Sequence, residues 1–408
     1  MVTGLGTVGS YGAGADSLRK ALAAAAPALS EVDRSAGYHL PESARLACLV
    51  PPGLLAPWLS PVEARRMSPP SRMAVTAARM ARACAGLTEK GAVGDGADES
   101  ATAVVISTAF GPSSYSEALL KQILFEGPES TSPSLFTESV ANAPAAQIAI
   151  GARARGPNLT LCQGEAGPLL AVGRAAAEVA SGRSPRAFAG TVEEMTPLLH
   201  ALLDRFAALA RRSEGSGEEA ARPFDRRRAG FLAGDGSTVI VLEEAAVAAA
   251  RGARILARVL GWGSAFDPTA PPVGWGGGHE ALGRSLRRTL ARAGLSVGDV
   301  GLIVSGASGA RDGDRLEALT LRAAWAGEPL PPVVTPKAVT GELGGGFLGA
   351  AVLAATGASF GSTPGFAEPD PELGVGPHDG SPLPRPEAVL ATTLAAGGAA
   401  AWLLLGKP

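Results

Sequence analysis

An α/β fold of two duplicated, layered halves is predicted by three features of the chain. Of its 408 residues, 46% are hydrophobic and 18% charged, the balance of a compact protein with much buried surface rather than of a disordered one. A plan of strand, turn, buried helix and strand recurs along the sequence. A polar, charged stretch, RRSEGSGEEAAR at 211–222, separates the two copies and places the halves at 1–222 and 223–408.

The elements follow in order. MVTGLGTV at 1–8 is a β-rich run closing on Gly9, Gly12 and Gly14, with a helix over 16–25. Such glycines can suggest phosphate binding, but a tight turn is the plainer reading of so short a pattern. Residues 69–87 carry apolar side chains at helical spacing, with Met73 and Met80 as core filler. TAVVIS at 102–107 is a buried strand, 111–133 is irregular around a helix near 116–125, and 141–150 is helical. A helix over 169–181 and the strand RAFAG at 186–190 complete the first half. The second half reads as a strand at 238–242, a helix at 245–252 and another strand. Beyond these come an arginine-rich amphipathic helix at 280–293 with a solvated positive face, a strand at 300–305, a helix at 314–325, a strand end at 333–335 and a small-residue helix at 347–357. The apolar run 391–405 is short for a membrane span and is broken by Gly397-Gly398, so it reads as two buried strands around a turn.

Several function classes are excluded. A net charge of −2 gives no electrostatic case for nucleic acid. Cys48, Cys84 and Cys162 are too widely spaced for a disulfide framework or a zinc site, which suits a reducing cytoplasm, and the N-terminus lacks the basic region of a signal peptide. No metal, nucleic acid or membrane is expected.

The stretch GPNLTLCQGEAGPLL at 156–170 organises the rest. It reads as a strand at 159–162, a sharp turn at 163–165 and a helix opening through Ala166-Gly167-Pro168. Strand-to-helix turns present a side chain to the backbone N–H groups of the new helix. The side chain at this tip is Glu165.

At this point the residues resemble a family. PFDRRRAGFLAGDG followed by VIVLEEAAVAAARGARI is similar to the opening of the second half of β-ketoacyl synthases, and VTGLGTVGSYGAG resembles their first strand. MSPPSRMAVTAARMA, GPNLTL with AVGRAAAEVASGRSPRAFAG, and KAVTGELGGGFLGA resemble three further segments, in order, over nearly the whole chain. The resemblance implies the thiolase fold, a duplicated five-layer αβαβα arrangement, dimeric through the first half. It also implies a chemistry in which a cysteine on the turn carries the acyl chain as a thioester and two histidines stabilise the charge formed on decarboxylation. Carried over by position, the cysteine falls on Glu165, the first histidine on Gly306 and the second on Glu342, while the lysine of the last motif is kept as Lys337. His39, His200, His279 and His378 fall at none of these places. Moving Cys162 to the turn would misplace every downstream anchor, so Cys162 is expected to be a small core hydrophobe in the strand.

A relative of these synthases that lacks the cysteine is the chain-length factor of type II polyketide synthases. Its turn typically reads Q-A-G-G-L, against Glu165-Ala166-Gly167-Pro168-Leu169 here. By that resemblance the chain is a non-condensing subunit with no catalytic residues and no cofactor of its own. Its expected partners are a catalytic ketosynthase subunit, in a heterodimer, and an acyl carrier protein whose phosphopantetheine brings the acyl chain. The segment 110–125, with Phe110, Tyr115, Leu119 and Ile123, then lines or flanks the tunnel that sets product length; ordinary core is the plain alternative. If the fold holds, Lys337 pairs with one of Glu165 and Glu342, and the other is protonated or reaches water. Two other classes stay open: an enzyme of altered chemistry using Glu165 as general acid or base on carrier-bound chains, and a stand-alone scaffold homodimer.

Overall fold

The computed structural model describes residues 1–87, 99–212 and 218–408. The eleven strands used here are β1 (Val2–Gly9), β2 (Gly12–Ala13), β3 (Ala103–Ser107), β4 (Asn158–Leu161), β5 (Arg186–Glu193), β6 (Gly236–Glu243), β7 (Arg258–Phe266), β8 (Val300–Val304), β9 (Val333–Val334), β10 (Ala388–Leu394) and β11 (Ala399–Gly406). The longer helices are α1 (Ala15–Ala24), α2 (Pro69–Cys84), α3 (Ser113–Glu126), α4 (Ala143–Ala152), α5 (Gly167–Ala180), α6 (Pro197–Arg205), α7 (His279–Arg292), α8 (Arg311–Trp325) and α9 (Gly346–Ala355).

The strands form two mixed sheets, ordered β2-β1-β6-β5-β3-β4 and β9-β8-β10-β11-β7. Set β2 aside and the two share one pattern. Reading from β4 or from β9, two parallel pairings are followed by two antiparallel ones. That repeat is the duplication expected from the sequence. The layers are α2 and α4, the first sheet, α5 and α9, the second sheet, then α7 and α8. Because helices cover both faces of each sheet, strands such as β1, β5 and β6 are buried at every position and read as near-continuous apolar runs. The central helix α9 is buried at all ten of its residues, which explains its lack of charge.

The strand after the polar break, β6, lies inside the first sheet between β1 and β5. The chain changes sheets between β6 and β7, so sheet membership does not divide at 222/223. Residues 213–217 of that break lie outside the described residues. Met73 and Met80 are buried in the α2 layer, and 391–405 is the expected hairpin, β10 paired with β11 around Gly397-Gly398. Among the described residues no helix is long and apolar enough to cross a membrane.

The alanine-rich face of α2 lies directly on β1. A Cβ at Gly4 would stand 2.1 Å from Ala81 O and one at Gly6 1.9 Å from Ala77 O, so only glycine permits this approach. Gly6→Ala is therefore expected to lower stability by at least about 2 kcal/mol. Urea unfolding measures this, and an unchanged midpoint would contradict the packing.

Candidate functional site

Strands β4 and β9 hold matching edge positions in the two sheets, and each feeds a turn that opens one of the buried central helices. The two turns meet. Glu165 stands in the single 3₁₀ turn Gly164–Ala166 before α5, where its carbonyl accepts a hydrogen bond from Thr393 Oγ1 at 2.9 Å. Lys337 starts the short helix Lys337–Thr340, and Glu342 follows it across Gly341. Between the turns is a cavity of about 20 Å³, also bordered by Thr191, Glu193 and Phe347. Such a space has room for roughly one water.

Lys337 Nζ lies 2.6 Å from Glu342 Oε1, with both side chains buried, and 5.2 Å from the centre of the Phe347 ring. The ammonium is not aligned as a hydrogen-bond donor, so the contact is a charge pair strengthened by its burial. Glu342 Oε1 also accepts from the Leu343 N–H at 3.2 Å. Lys337 thus takes Glu342 of the two candidates. Glu165 retains some solvent contact at the turn but is closely surrounded by protein. Burial first, and the negative charge of Glu342 second, raise its carboxyl to about 7, against the weaker pull of Lys337.

Glu193, at the end of β5, brings a third carboxyl to the cavity and was missed by sequence reasoning, which stopped that strand at residue 190. It accepts from Thr108 Oγ1 at 3.2 Å and from the N–H groups of Ala109 and Phe110. Burial without an adjacent cation pushes it up to about 8. Two acidic residues at the C-terminal end of a wholly buried strand were the available signal, since sites in α/β folds gather at such ends.

Gly306 is closed as well as bare. A Cβ there would lie 2.8 Å from Thr392 O and 2.9 Å from Thr393 Cα, so the backbone of β10 occupies the space a side chain would need. Its N–H donates to Glu317 Oε1 at 3.0 Å, an oxygen that also accepts from Ser305 Oγ and Thr392 Oγ1, both at 2.5 Å.

Among the described residues no cysteine or histidine lines the cavity. Cys48 packs behind Gly341, and burial pushes its thiol up to about 12, far from a thiolate. Cys162 corrects the sequence reading: β4 ends at Leu161 and Cys162 is exposed just beyond it, because β4 is an edge strand with no neighbour to cover its end. The core alternative falls for Phe110 and Ile123 among the tunnel candidates. Phe110 and Ile123 are 47% and 38% exposed, Tyr115 and Leu119 are half-buried, and none of the residues of α3 is buried.

Comparison with known proteins bears on this geometry. Residues 1–248 match the family model described as Beta-ketoacyl synthase, N-terminal domain. The chain is 31% identical over 316 residues to the 3-oxoacyl-[acyl-carrier-protein] synthase 2 of Rhizobium meliloti (strain 1021), covering 74% of this chain and 72% of that protein. It belongs to the β-ketoacyl synthase family. The synthase of the same name from Vibrio cholerae is 29% identical over 351 residues, covering 84% of this chain and 81% of its own length. Among solved structures, the ishigamide ketosynthase/chain length factor superposes with a TM-score of 0.88 at 28% identity, over 100% of this chain and 98% of the other. The fold is therefore that of the ketosynthases.

The raised carboxyl of Glu165 has a consequence for stability. Its proton is held more tightly in the folded state, at about 7, than at the ordinary 4.5 of an unfolded chain. Its contribution to folding is thus complete below about pH 4.5 and is lost as pH rises through about 7. Glu165→Gln removes that loss. The melting temperature of the variant, relative to the wild type, should climb between pH 5 and pH 8, by the equivalent of roughly 1–3 kcal/mol. Part of the wild-type slope will persist, because Glu193 and Asp235 are raised in the same direction. A difference in melting temperature that does not change with pH would contradict the assignment.

Proposed function

We propose that this chain is the non-condensing subunit of a type II polyketide or fatty-acid ketosynthase, similar in role to a chain-length factor. It pairs with a catalytic Cys-His-His subunit and shapes the acyl tunnel that sets product length. The observation that carries this reading is the content of the reaction centre: a Lys337–Glu342 ion pair, Glu165 on the turn, and no room for a side chain at Gly306. A carboxylate is a far weaker nucleophile than a thiolate, and an acyl anhydride at the turn would hydrolyse rather than wait for a second substrate. The chain brings no cofactor of its own. The acyl group arrives on the phosphopantetheine of a carrier protein.

A partner is also suggested by the surface. On α3, Leu120, Leu124 and Phe125 are 57%, 74% and 82% exposed, Phe136 on the short helix Pro133–Ser139 packed against it is 56% exposed, and Ile150 on α4 is 71% exposed. α4 also packs on β4, which ends the first sheet with one edge unpaired among the described residues. An apolar face next to an open strand edge is a surface made to be covered. A subunit of the same fold is the occupant that fits, and a structure this chain matches over its full length is named a ketosynthase/chain length factor.

One observation favours a second reading: a carboxyl raised to about 7 is suited to proton transfer, so Glu165 would act as acid or base on a carrier-bound chain. Co-expression with a cysteine-bearing ketosynthase and a carrier protein separates the two. The first reading expects product only when both subunits are present, and production unchanged within about threefold by Glu165→Gln. Full activity of the partner alone would overturn it, and turnover by this chain alone that is abolished in Glu165→Gln would establish the second.

A further inference from the structure

α3 is fourteen residues long, none of them buried, and its N-cap residue, Pro112, supplies no side-chain cap. Burial of an apolar face therefore does not set where this helix sits. Polar contacts do: along its length Glu117 accepts from Tyr38 Oη, and Tyr115 Oη and Ser116 Oγ donate to the carbonyls of Met67 and Ser139, while its start and the loop before it are held by two consecutive residues at the end of β5. Glu193 is 2% exposed and takes the Thr108 hydroxyl and the N–H groups of Ala109 and Phe110. Glu194 is 4% exposed and accepts from the Ser114 N–H at 2.7 Å, from Ser114 Oγ at 2.9 and 3.0 Å, and from Ser113 Oγ at 3.3 Å. The Ser114 N–H is one of the free donors of the first turn of α3, so Glu194 caps the helix from a different part of the chain. The intervening turn is tightened by the Gly111 N–H, which donates to Thr108 Oγ1 at 2.9 Å. Between them the two carboxyls hold both ends of the 108–114 loop, and Glu193 touches the cavity of Glu165 as well.

We propose that Glu193 and Glu194 form a clamp that positions α3 for its partner and ties the partner-facing surface to the old reaction centre. The inference rests on the subunit reading above for the identity of the partner, a ketosynthase chain. Both are positioning residues: neither reaches the exposed Leu124 or Phe125 side chains, yet both fix the start of the helix that presents them. The local geometry explains why the two acids must be adjacent. One strand step turns successive side chains to opposite sides, so a single short segment grips the loop before the helix and the helix's first turn.

The test uses Glu193→Ala, Glu194→Ala and Glu194→Gln. In hydrogen exchange of the chain alone, both alanine variants should lose at least tenfold protection over residues 109–116, with β1 and α9 unchanged. Glu194→Gln, which keeps an acceptor oxygen for the Ser114 N–H, should retain most of it. With the co-expressed ketosynthase, Glu194→Ala should weaken association about tenfold and Glu194→Gln should restore it. Unchanged protection in both alanine variants overturns the clamp. So does lost protection with wild-type association and product length. A wild-type chain that binds no ketosynthase overturns the subunit reading and the partner half of this proposal, while the exchange result still decides whether the clamp exists. Should either alanine variant unfold, loss of protection at β1 reveals it, and Glu194→Gln then carries the comparison.

Discussion

Lys337 neutralises Glu342 at 2.6 Å in a space with room for about one water, and that pairing leaves Glu165 and Glu193 without a cation of their own. Burial then becomes the largest influence on both carboxyls and raises each well above its ordinary range. The centre of the molecule is thus a place where one positive charge is shared among several acids. Such a centre can hold protons, but it offers no thiolate to carry an acyl group. The ion pair is also a poor candidate for adding stability, since taking two charges out of water costs about what their attraction returns.

Those surroundings follow from the duplication. Two copies of one strand pattern place β4 and β9 at equivalent edges, and the helices they feed, α5 and α9, pack between the sheets. The turn before each helix is thereby brought to the same spot, so Glu165 from one half faces Lys337 and Glu342 from the other. Glu317 joins α8 to β10 through Ser305, Gly306 and Thr392, and holds the backbone that closes the Gly306 position. The framework of the ketosynthase fold is therefore intact around a centre that holds Glu165, Lys337, Glu342 and Glu193. The same first half carries exposed apolar side chains on α3 and α4, and the loop that leads into α3 is held from the site by Glu193.

Much of this was legible in the sequence, for stated reasons. Strands covered on both faces are rich in apolar and small residues, so β1, β3, β6 and the β10–β11 hairpin could be located without knowing their neighbours. The pairing of Lys337 with a glutamate could be anticipated because one lysine can compensate only one of two nearby buried carboxyls. What escaped was mostly long-range. Nothing local in 236–243 says that this strand, after the polar break, returns to the first sheet. Cys162 looks apolar enough for a core, yet an edge strand that stops one residue earlier leaves it in solvent. Phe110 and Ile123 illustrate a general ambiguity: an apolar residue suits a core and an interface equally well, and only the folded chain shows which side is open. Glu193 and Glu194 were overlooked because a glycine at 190 resembles a strand end, whereas β5 continues through it for three residues.

On the proposed reading this chain pairs with a ketosynthase and does not itself carry the growing acyl group. Intact-mass measurement of the purified complex with its ketosynthase, after incubation with acyl- and malonyl-carrier protein, addresses it directly. The expected result is an acyl adduct on the cysteine-bearing partner and an unmodified mass for this chain. An acyl adduct on this chain, mapped to Glu165 or to one of its cysteines, would contradict the account.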